Sequence, residues 1–183
     1  GVGLVSGCMR VVVLLLWVGA HKSHQRAGAI DLAGADKGAR FVQLCDAFDI
    51  PILSVMDCPG IMVGPDVERT ALVRHALRMF NVGANISTPM FGVVVRKAYG
   101  LGVQAMCGAS SGVPNFTVAW PTAEFAAMNI EGSVKFAFRN ALMEIVDSDD
   151  RRAYFDQRVA HAYDDAKAVN AASSVGVEVL IYP

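Results

Sequence analysis

The sequence carries little charge and no concentration of either sign. Charged residues make up 18% of the 183 residues, where globular proteins average about 25%, and the formal net charge is −1. No run of lysine and arginine is longer than the pairs Arg96-Lys97 and Arg151-Arg152. Binding to nucleic acid needs a patch of clustered basic side chains, so the composition excludes nucleic acid as the main ligand.

The sequence also lacks the residue spacings that mark metal sites and phosphate loops. Its four cysteines lie far apart, with no C-x-x-C pair and no nearby histidine at metal-ligand spacing. This predicts reduced thiols, a cytoplasmic protein and no bound metal. There is no G-x-x-x-x-G-K-[ST] segment for nucleotide phosphates. Cys58 stands beside a predicted turn, where it is either a reactive thiol or a small hydrophobic residue of the core.

Hydrophobic residues, by contrast, are in excess, at 54% against a usual figure of about 45–50%. The excess predicts that a partner chain covers part of the surface, most simply in a homo-oligomer; the alternative is one well-filled core. Residues 11–18 form an apolar run that is far too short to span a bilayer, and no membrane partner is predicted. The run fits a buried strand, and its likeness to a signal peptide is the alternative.

From about residue 27 onward, short apolar runs alternate with segments of helical periodicity. The pattern predicts strands over 50–56, 90–95 and 116–120, and helices over 37–48, from 65 onward, over 101–107, 131–144 and 149–172. It also predicts a loop over 96–100, a helical turn over 124–128, and a last strand or frayed end over 177–182. Strands that alternate with helices require crossover connections, so the sequence predicts one α/β domain with a mainly parallel sheet.

Two glycine-rich turns follow predicted strands, at residues 57–64 (DCPGIMVG) and 96–102 (RKAYGLG). In parallel sheets, the turns that lead from strands into helices are where ligands bind, because the first N–H groups of a helix have no partner. Glycine lets a substrate approach the backbone closely. Either turn could hold a developing negative charge, and a purely structural turn is the alternative for each.

The remaining candidates for acid–base chemistry are weak in the sequence. His75 lies on a predicted helix beside Arg74, where a solvated or capping role is expected, and His161 lies in the charged C-terminal helix, where we expect it to be exposed. Glu124 and Glu131 are too far apart in the sequence to be assigned as a catalytic carboxylate pair.

Five segments in order along the chain carry a resemblance to a known family: residues 34–41 (GADKGARF), 44–48 (LCDAF), 57–60 (DCPG), 96–100 (RKAYG) and 119–124 (AWPTAE). Together they closely resemble the carboxyltransferase subunit of biotin-dependent acyl-CoA carboxylases, which includes the acetyl-, propionyl- and methylcrotonyl-CoA carboxylases. The resemblance runs from about residue 27 to about residue 174.

The resemblance implies a crotonase-like fold and the C-terminal one of the family's two carboxyltransferase domains. It implies an enzyme that moves a carboxyl group from carboxybiotin, through an enolate, to the α-carbon of an acyl-CoA. Biotin would be carried by a biotin carboxyl carrier or carboxylase partner, acyl-CoA would be the substrate, and no metal would take part. The N-terminal domain of a partner subunit would hold the thioester oxygen and complete the active site.

The resemblance also assigns the site residues. The backbone N–H groups of Leu101 and Gly102 would form the oxyanion hole for the ureido oxygen of biotin, and no side-chain base is needed, because the ureido nitrogen can take the α-proton. Leu101 stands where many members carry glycine. The side chain of Gln104 occupies a position that helps to choose the acyl chain in several members. Carboxybiotin and substrate would further contact a set of neighbouring residues: Tyr99, Gly100, Pro59 and Gly60.

Residues 1–26 depart from the family, which has a strand ending in an Asn-x-Pro-like turn where this chain has HKSHQR. We interpret 1–26 as an atypical segment, read out of frame or of unrelated origin, and 27–183 as the C-terminal carboxyltransferase domain, shortened at its end. Three other functions stay open: a biotin-dependent acyl-CoA decarboxylase subunit, a non-catalytic interaction module, and a stand-alone crotonase-type hydratase or isomerase.

Overall fold

A mainly parallel β-sheet lies at the centre of the structure, a computed structural model that describes residues 4–11, 14–21, 26–108, 114–174 and 179–182. Within these residues the strand order is β1-β2-β3-β4-β5-β7, and β6 also pairs with β4. Among the pairs of named strands in the described residues, only β1 and β2 are antiparallel, and the other pairs are parallel. The strands are β1 Leu4–Val11, β2 Leu14–His21, β3 Ile52–Cys58, β4 Met90–Tyr99, β5 Phe116–Ala119, β6 Glu124–Ala126 and β7 Val179–Leu180. The predicted α/β class with parallel pairing is confirmed.

The helices follow the strands as crossover connections, and α1 shows why one of them begins where it does. The Asp31 carboxylate caps α1, accepting a hydrogen bond from the N–H of Gly34 at 2.6 Å. The helix therefore begins several residues before the predicted start at residue 37. The helices are α1 Leu32–Ala47, α2 Pro65–Glu68, α3 Leu72–Gly83, α4 Gly100–Met106, α5 Ile130–Ala137, α6 Arg139–Glu144, α7 Ser148–Asp165 and α8 Ala168–Ser174.

Residues 11 and 14–18 of the apolar run lie in the first two strands. β1 and β2 form a hairpin, and β2 pairs with β3 from Trp17↔Ile52 to Ala20↔Val55. The strand prediction is confirmed for residues 11 and 14–18, whereas residues 12 and 13 lie outside the described part of the chain. The origin of residues 1–26 stays a hypothesis, which the coding DNA would test.

Several predictions of secondary structure are wrong in extent or type. The helix predicted from residue 65 onward is two helices, α2 and α3, because Ala71 between them is in the left-handed conformation. β4 continues to Tyr99, so residues 96–99 are strand and not loop, because Cys58 and Ala98 continue the pairing of β3 with β4. Residues 124–126 form strand β6 and not a helical turn. The helix predicted over 131–144 is two helices joined at Phe138, and the helix predicted over 149–172 is divided between α7 and α8. The predicted last strand is confirmed over Val179–Leu180.

The main core lies between the sheet and helices α1, α3 and α4. It is built largely from small residues and sulfur-containing side chains, among them Met56, Cys58, Met79, Met106 and Cys107. A second, smaller cluster joins Tyr99 to α5 and the end of α7 through Ile130 and Ala166. In the described part of the chain, no helix is both long enough and apolar enough to cross a membrane.

Candidate functional site

The two glycine-rich turns leave the sheet at the same edge, because β3 and β4 are parallel neighbours. The last paired residues are Cys58 on β3 and Ala98 on β4. Beyond them, Gly60 has φ +127° and Gly100 has φ +56°, values that favour glycine over residues with a side chain. The structure therefore brings together Pro59 and Gly60 of one turn and Tyr99 to Gly102 of the other.

The two turns are in direct backbone contact. A Cβ placed on Gly102 would lie 2.8 Å from both Cα and C of Gly60, and 2.6 Å from Sγ of Cys58. The Cys58 thiol donates a hydrogen bond to the carbonyl of Gly60 at 3.4 Å and is fully buried. Burial raises the pKa of Cys58 to about 12, so the thiolate form is not populated near neutral pH. Of the two interpretations of Cys58, the passive core residue is the one that the structure supports.

An ion pair ties the two turns together at the ends of their strands. Asp57 accepts two hydrogen bonds from Arg96, from Nε at 3.1 Å and from Nη2 at 2.6 Å, and a third from the N–H of Lys97 at 3.2 Å. The Asp57 side chain is 9% exposed, whereas that of Arg96 is 55% exposed. The hydrogen bond with Asp57 raises the pKa of Arg96 above its usual value. The bidentate contact fixes the separation of the strands where the turns begin.

Helix α4 places the predicted donors in its first turn. Leu101 and Gly102 are its second and third residues, and the first N–H groups of a helix have no intrahelical partner. Among the described residues, no side chain caps this helix. The Leu101 side chain is 60% exposed and so projects into solvent, while Gly102 is buried and Gln104 is exposed. The arrangement can offer two backbone donors to one anionic oxygen.

Tyr99 precedes the donors, and its side chain faces inward. It is 1% exposed, and its hydroxyl donates a hydrogen bond to Oε2 of Glu124 at 2.5 Å. Burial, followed by the hydrogen bond to Glu124, raises the pKa of Tyr99 well above its usual value. Its predicted contact with carboxybiotin stays a prediction. The sequence contained Glu124 within a family segment but no local signal that it pairs with Tyr99.

Glu131 has a tyrosine partner of its own. Tyr163 on α7 donates a hydrogen bond to Oε1 of Glu131 at 2.7 Å, which lowers the pKa of Glu131 and raises that of Tyr163 to about 12. Glu124 and Glu131 therefore serve two separate Tyr–Glu pairs rather than one carboxylate dyad. Glu124, through Tyr99, is the one joined to the glycine turn.

The two described histidines with candidate roles lie on helix surfaces and pair with carboxylates. His75 on α3 contacts Asp36 on α1, with 3.0 Å between Nδ1 and Oδ1, and His161 contacts Asp165 at 3.7 Å. The His161 side chain is 71% exposed, which confirms the prediction. No group of three or more His, Cys, Asp or Glu side chains in the described ranges is arranged to hold a metal ion.

Comparison with known proteins gives one consistent result. The model of the family described as "Carboxyl transferase domain" matches residues 2–179. The chain is 38% identical, over 133 residues, to the propionyl-CoA carboxylase carboxyltransferase subunit of Haloferax mediterranei, covering 73% of this chain and 26% of that protein. It is 36% identical, over 128 residues, to the methylmalonyl-CoA decarboxylase subunit alpha of Propionigenium modestum, covering 70% and 25%.

Solved structures agree with the sequence relatives. A single-chain, multi-domain long-chain acyl-CoA carboxylase superposes with a TM-score of 0.88 at 40% identity, covering all of this chain and 18% of that one. The transcarboxylase 12S structure, a hexamer with methylmalonyl-coenzyme A bound, has a TM-score of 0.87 at 29% identity, covering 98% and 34%. These similarities confirm the predicted crotonase-like fold. The chain spans about a quarter of the length of the two sequence relatives.

Proposed function

The chain belongs to the carboxyltransferase family of biotin-dependent acyl-CoA carboxylases, and from that membership we propose that it forms the carboxybiotin-binding half of a carboxyltransferase active site. The observation that carries the proposal is the contact between the two glycine turns. It supports the proposal because the first turn of α4, which contains Leu101 and Gly102, packs beside the end of β3, and ligands bind at the carboxyl ends of strands in parallel α/β folds.

The residues at this edge fit the ureido ring of biotin. Gly60 leaves room for the approach of a flat ring, because a Cβ there would have only the carbonyl oxygen of Tyr99 within 4 Å, at 3.8 Å. The exposed side chain of Leu101 projects away from the fold. A Cβ on Gly100 would lie 2.7 Å from the carbonyl oxygen of Ala127, so this position tolerates only glycine. Pro59 and Gln104, both accessible, flank the donors and would contact carboxybiotin or substrate.

Carboxybiotin, when bound, supplies the carboxyl group, which passes to the α-carbon of an acyl-CoA through its enolate. The contribution of this chain is to hold negative charge on the ureido oxygen with the N–H groups of Leu101 and Gly102. A donor of this kind contributes about 10²–10³-fold to kcat, equal to about 2.7–4 kcal/mol. The chain needs no side-chain base at this edge, in keeping with the burial of Cys58 and Tyr99 and the distant pairing of His75.

The proposal includes partners. The thioester oxygen would be held by the N-terminal domain of a partner subunit, and biotin would arrive on a carrier protein. The transcarboxylase 12S relative is a hexamer, and we propose that this chain also works in an oligomer. Large apolar side chains that are strongly exposed in the single chain support a covered surface: Val63, Phe136, Met143 and Val146.

A second candidate is a biotin-dependent decarboxylase, which would run carboxyl transfer in the opposite direction. The observation that favours it is the 36% identity to the methylmalonyl-CoA decarboxylase subunit alpha of Propionigenium modestum. The backbone donors would have the same role in either direction, because the ureido oxygen takes part in both. The direction of transfer therefore has to be measured.

The test is transfer of labelled carboxyl from carboxybiotin to a panel of acyl-CoA thioesters, with and without a separately supplied N-terminal carboxyltransferase domain. The proposal expects transfer when both domains are present and little or none with this chain alone. Running the panel from labelled carboxyacyl-CoA to biotin measures the decarboxylase direction. Absence of transfer in both directions with both domains present would reject the catalytic role.

A further inference from the structure

Glu124 lies outside both glycine turns, yet it is hydrogen-bonded to Tyr99. Tyr99 begins the turn from Tyr99 to Gly102, called the donor turn below because it carries the N–H groups of Leu101 and Gly102. We propose that Glu124 is a positioning residue for carboxyl transfer, acting through the Tyr99 hydroxyl to fix the turn that carries the N–H groups of Leu101 and Gly102. The inference rests on the proposed function for its catalytic consequence. Its structural part, control of the turn by Glu124, stands on separate observations.

The first observation is the bond itself. The Tyr99 hydroxyl donates to Oε2 of Glu124 at 2.5 Å, a length typical of charge-assisted O–H···O⁻ bonds. The Tyr99 ring packs in the cluster with Ile130 and Ala166, which holds the body of the side chain. The hydroxyl is at the far end of that ring, so the bond to Glu124 fixes the remaining freedom of the side chain.

The second observation is that β6, the strand of Glu124, presses against the turn. β6 pairs with β4 in the register Lys97↔Glu124, Ala98↔Phe125 and Tyr99↔Ala126. Directly after β6, the carbonyl oxygen of Ala127 lies where a Cβ on Gly100 would meet it at 2.7 Å. On the opposite side, Gly102 rests on Gly60. The donor turn is therefore held between the end of β3 and the end of β6.

The third observation is that β6 is itself anchored from outside the sheet. The N–H of Phe125 donates to the carbonyl of Ala166 at 2.7 Å, and the N–H of Ala168 donates to the carbonyl of Ala123 at 2.9 Å. The residues that join α7 to α8 thus hold both neighbours of Glu124. With its backbone fixed in this way, Glu124 gives Tyr99 a rigid acceptor rather than a mobile one.

The catalytic consequence follows from geometry. Two N–H donors stabilise one oxyanion only while both point at it, and a displacement of about 1 Å from a distant change can cost about 10²-fold in rate. Loss of the Tyr99–Glu124 bond should move or loosen the turn without removing any group that touches substrate. We therefore expect kcat to fall while KM for the acyl-CoA stays unchanged, because the proposed function assigns the thioester to the N-terminal domain of a partner subunit.

The activity test compares Glu124→Ala, Glu124→Gln and Tyr99→Phe in the full 183-residue chain, combined with the N-terminal domain. Expected values of kcat are about 10- to 100-fold lower for Glu124→Ala. Tyr99→Phe should fall as far, whereas Glu124→Gln should recover part of the loss, because its amide oxygen can still accept from Tyr99. The matched control is Tyr163→Phe, which breaks the other Tyr–Glu bond and should leave kcat within about twofold.

A second readout needs no activity. In helix α4, the N–H groups of Gln104, Ala105 and Met106 donate to the carbonyls of Gly100, Leu101 and Gly102, so their hydrogen exchange reports whether the turn keeps its helical geometry. Hydrogen exchange at these three N–H groups should be at least tenfold faster in Glu124→Ala than in Tyr163→Phe. The comparison is made between variants with equal melting temperatures. Circular dichroism checks that each variant is folded.

The outcomes separate the two proposals. If the wild-type chain transfers no carboxyl group but Glu124→Ala accelerates exchange in α4, the proposed function fails and the control of the turn by Glu124 stands. If exchange and kcat in Glu124→Ala match those of Tyr163→Phe, the inference is overturned whether or not the chain is active. A rise in KM with kcat unchanged would also overturn it, because a positioning role acts on the chemical step.

Discussion

The backbone of Gly102 packs directly on the backbone of Gly60, with 2.8 Å between a Cβ placed on Gly102 and Cα of Gly60. This contact joins two residues, one in each turn, that are 42 positions apart in the sequence. It also decides which substitutions can test the proposed oxyanion hole. Proline at position 102 would remove an N–H and also force atoms into Gly60 and Cys58, so a loss of activity there would have two causes.

Substitution of Gly100 by alanine should destabilise the protein and disrupt the donor turn. Gly100 has φ +56°, and a Cβ there would lie 2.7 Å from the backbone oxygen of Ala127, which cannot move aside as a flexible side chain could. We expect a loss of about 1–3 kcal/mol in the free energy of unfolding. Urea denaturation measures it, with Gly7→Ala as control because nothing lies within 4 Å of a Cβ there. Equal stabilities of the two variants would contradict the tight packing of Gly100.

Asp57→Asn should weaken the connection between β3 and β4. The carboxylate accepts three hydrogen bonds from Arg96 and Lys97, and the asparagine can no longer offer two equivalent oxygens to the guanidinium. Because Arg96 is half exposed, we expect a loss of only about 1 kcal/mol in the free energy of unfolding.

The matched control for Asp57→Asn is Asp66→Asn, since Asp66 pairs with Arg69 but both side chains are almost fully exposed. Its effect should lie within about 0.5 kcal/mol of zero. A larger effect at Asp66 than at Asp57 would mean that the ion pair at the strand ends adds nothing to stability.

Thiol labelling should modify one of the four cysteines in the native protein. Cys8 is exposed, whereas burial raises the pKa values of Cys45, Cys58 and Cys107 to about 12. Iodoacetamide at pH about 8 should therefore alkylate Cys8 alone within minutes and all four in urea, as counted by mass spectrometry. Rapid native labelling of Cys58 would show that this residue is accessible and reactive, and would reopen its role in the site.

The free energy of unfolding should decrease at acidic pH, in part because Asp46 becomes protonated. Its Oδ1 accepts hydrogen bonds from the N–H groups of Ser87 and Thr88, which lower the pKa of Asp46 in the folded state. Because the pKa of Asp46 is lower in the folded state, this carboxylate stabilises the fold at pH above its unfolded-state pKa of about 3.9. That stabilisation is lost as the pH falls through the folded-state pKa. Asp46→Asn should flatten the dependence of the free energy of unfolding on pH between about 5 and about 3. Asp156→Asn, at an exposed position, is the control, and an equal slope in both variants would exclude Asp46.

The order of strands and helices follows hydrophobic period and could be predicted. β6 could not, because it has only three residues, of which Glu124 and Ala126 are poor strand formers, and it becomes a strand only by pairing with β4. The extension of β4 to Tyr99 likewise depends on pairing with residues distant in sequence, Cys58 of β3 and strand β6. The donor turn was located by its glycines and by family resemblance, whereas the Tyr99–Glu124 bond is a tertiary contact without a sequence signature.

Leu101→Pro removes an N–H group without the clash that a side chain at position 102 would make with Gly60 and Cys58, because position 101 already carries a side chain. Leu101 lies in the first turn of α4, where proline is tolerated because its missing N–H has no helical partner, and its side chain is 60% exposed. Leu101→Ala keeps the N–H and removes most of the side chain, so the pair of variants separates the donor from the leucine side chain.

The most direct test of the central claim compares Leu101→Pro with Leu101→Ala, each with the N-terminal domain present. The quantity measured is the rate of carboxyl transfer from carboxybiotin to acyl-CoA. The account predicts that Leu101→Pro loses about 10²–10³-fold in kcat, while Leu101→Ala stays near the wild-type value. Equal rates in two folded variants would contradict the assignment of this turn as the oxyanion site for carboxybiotin.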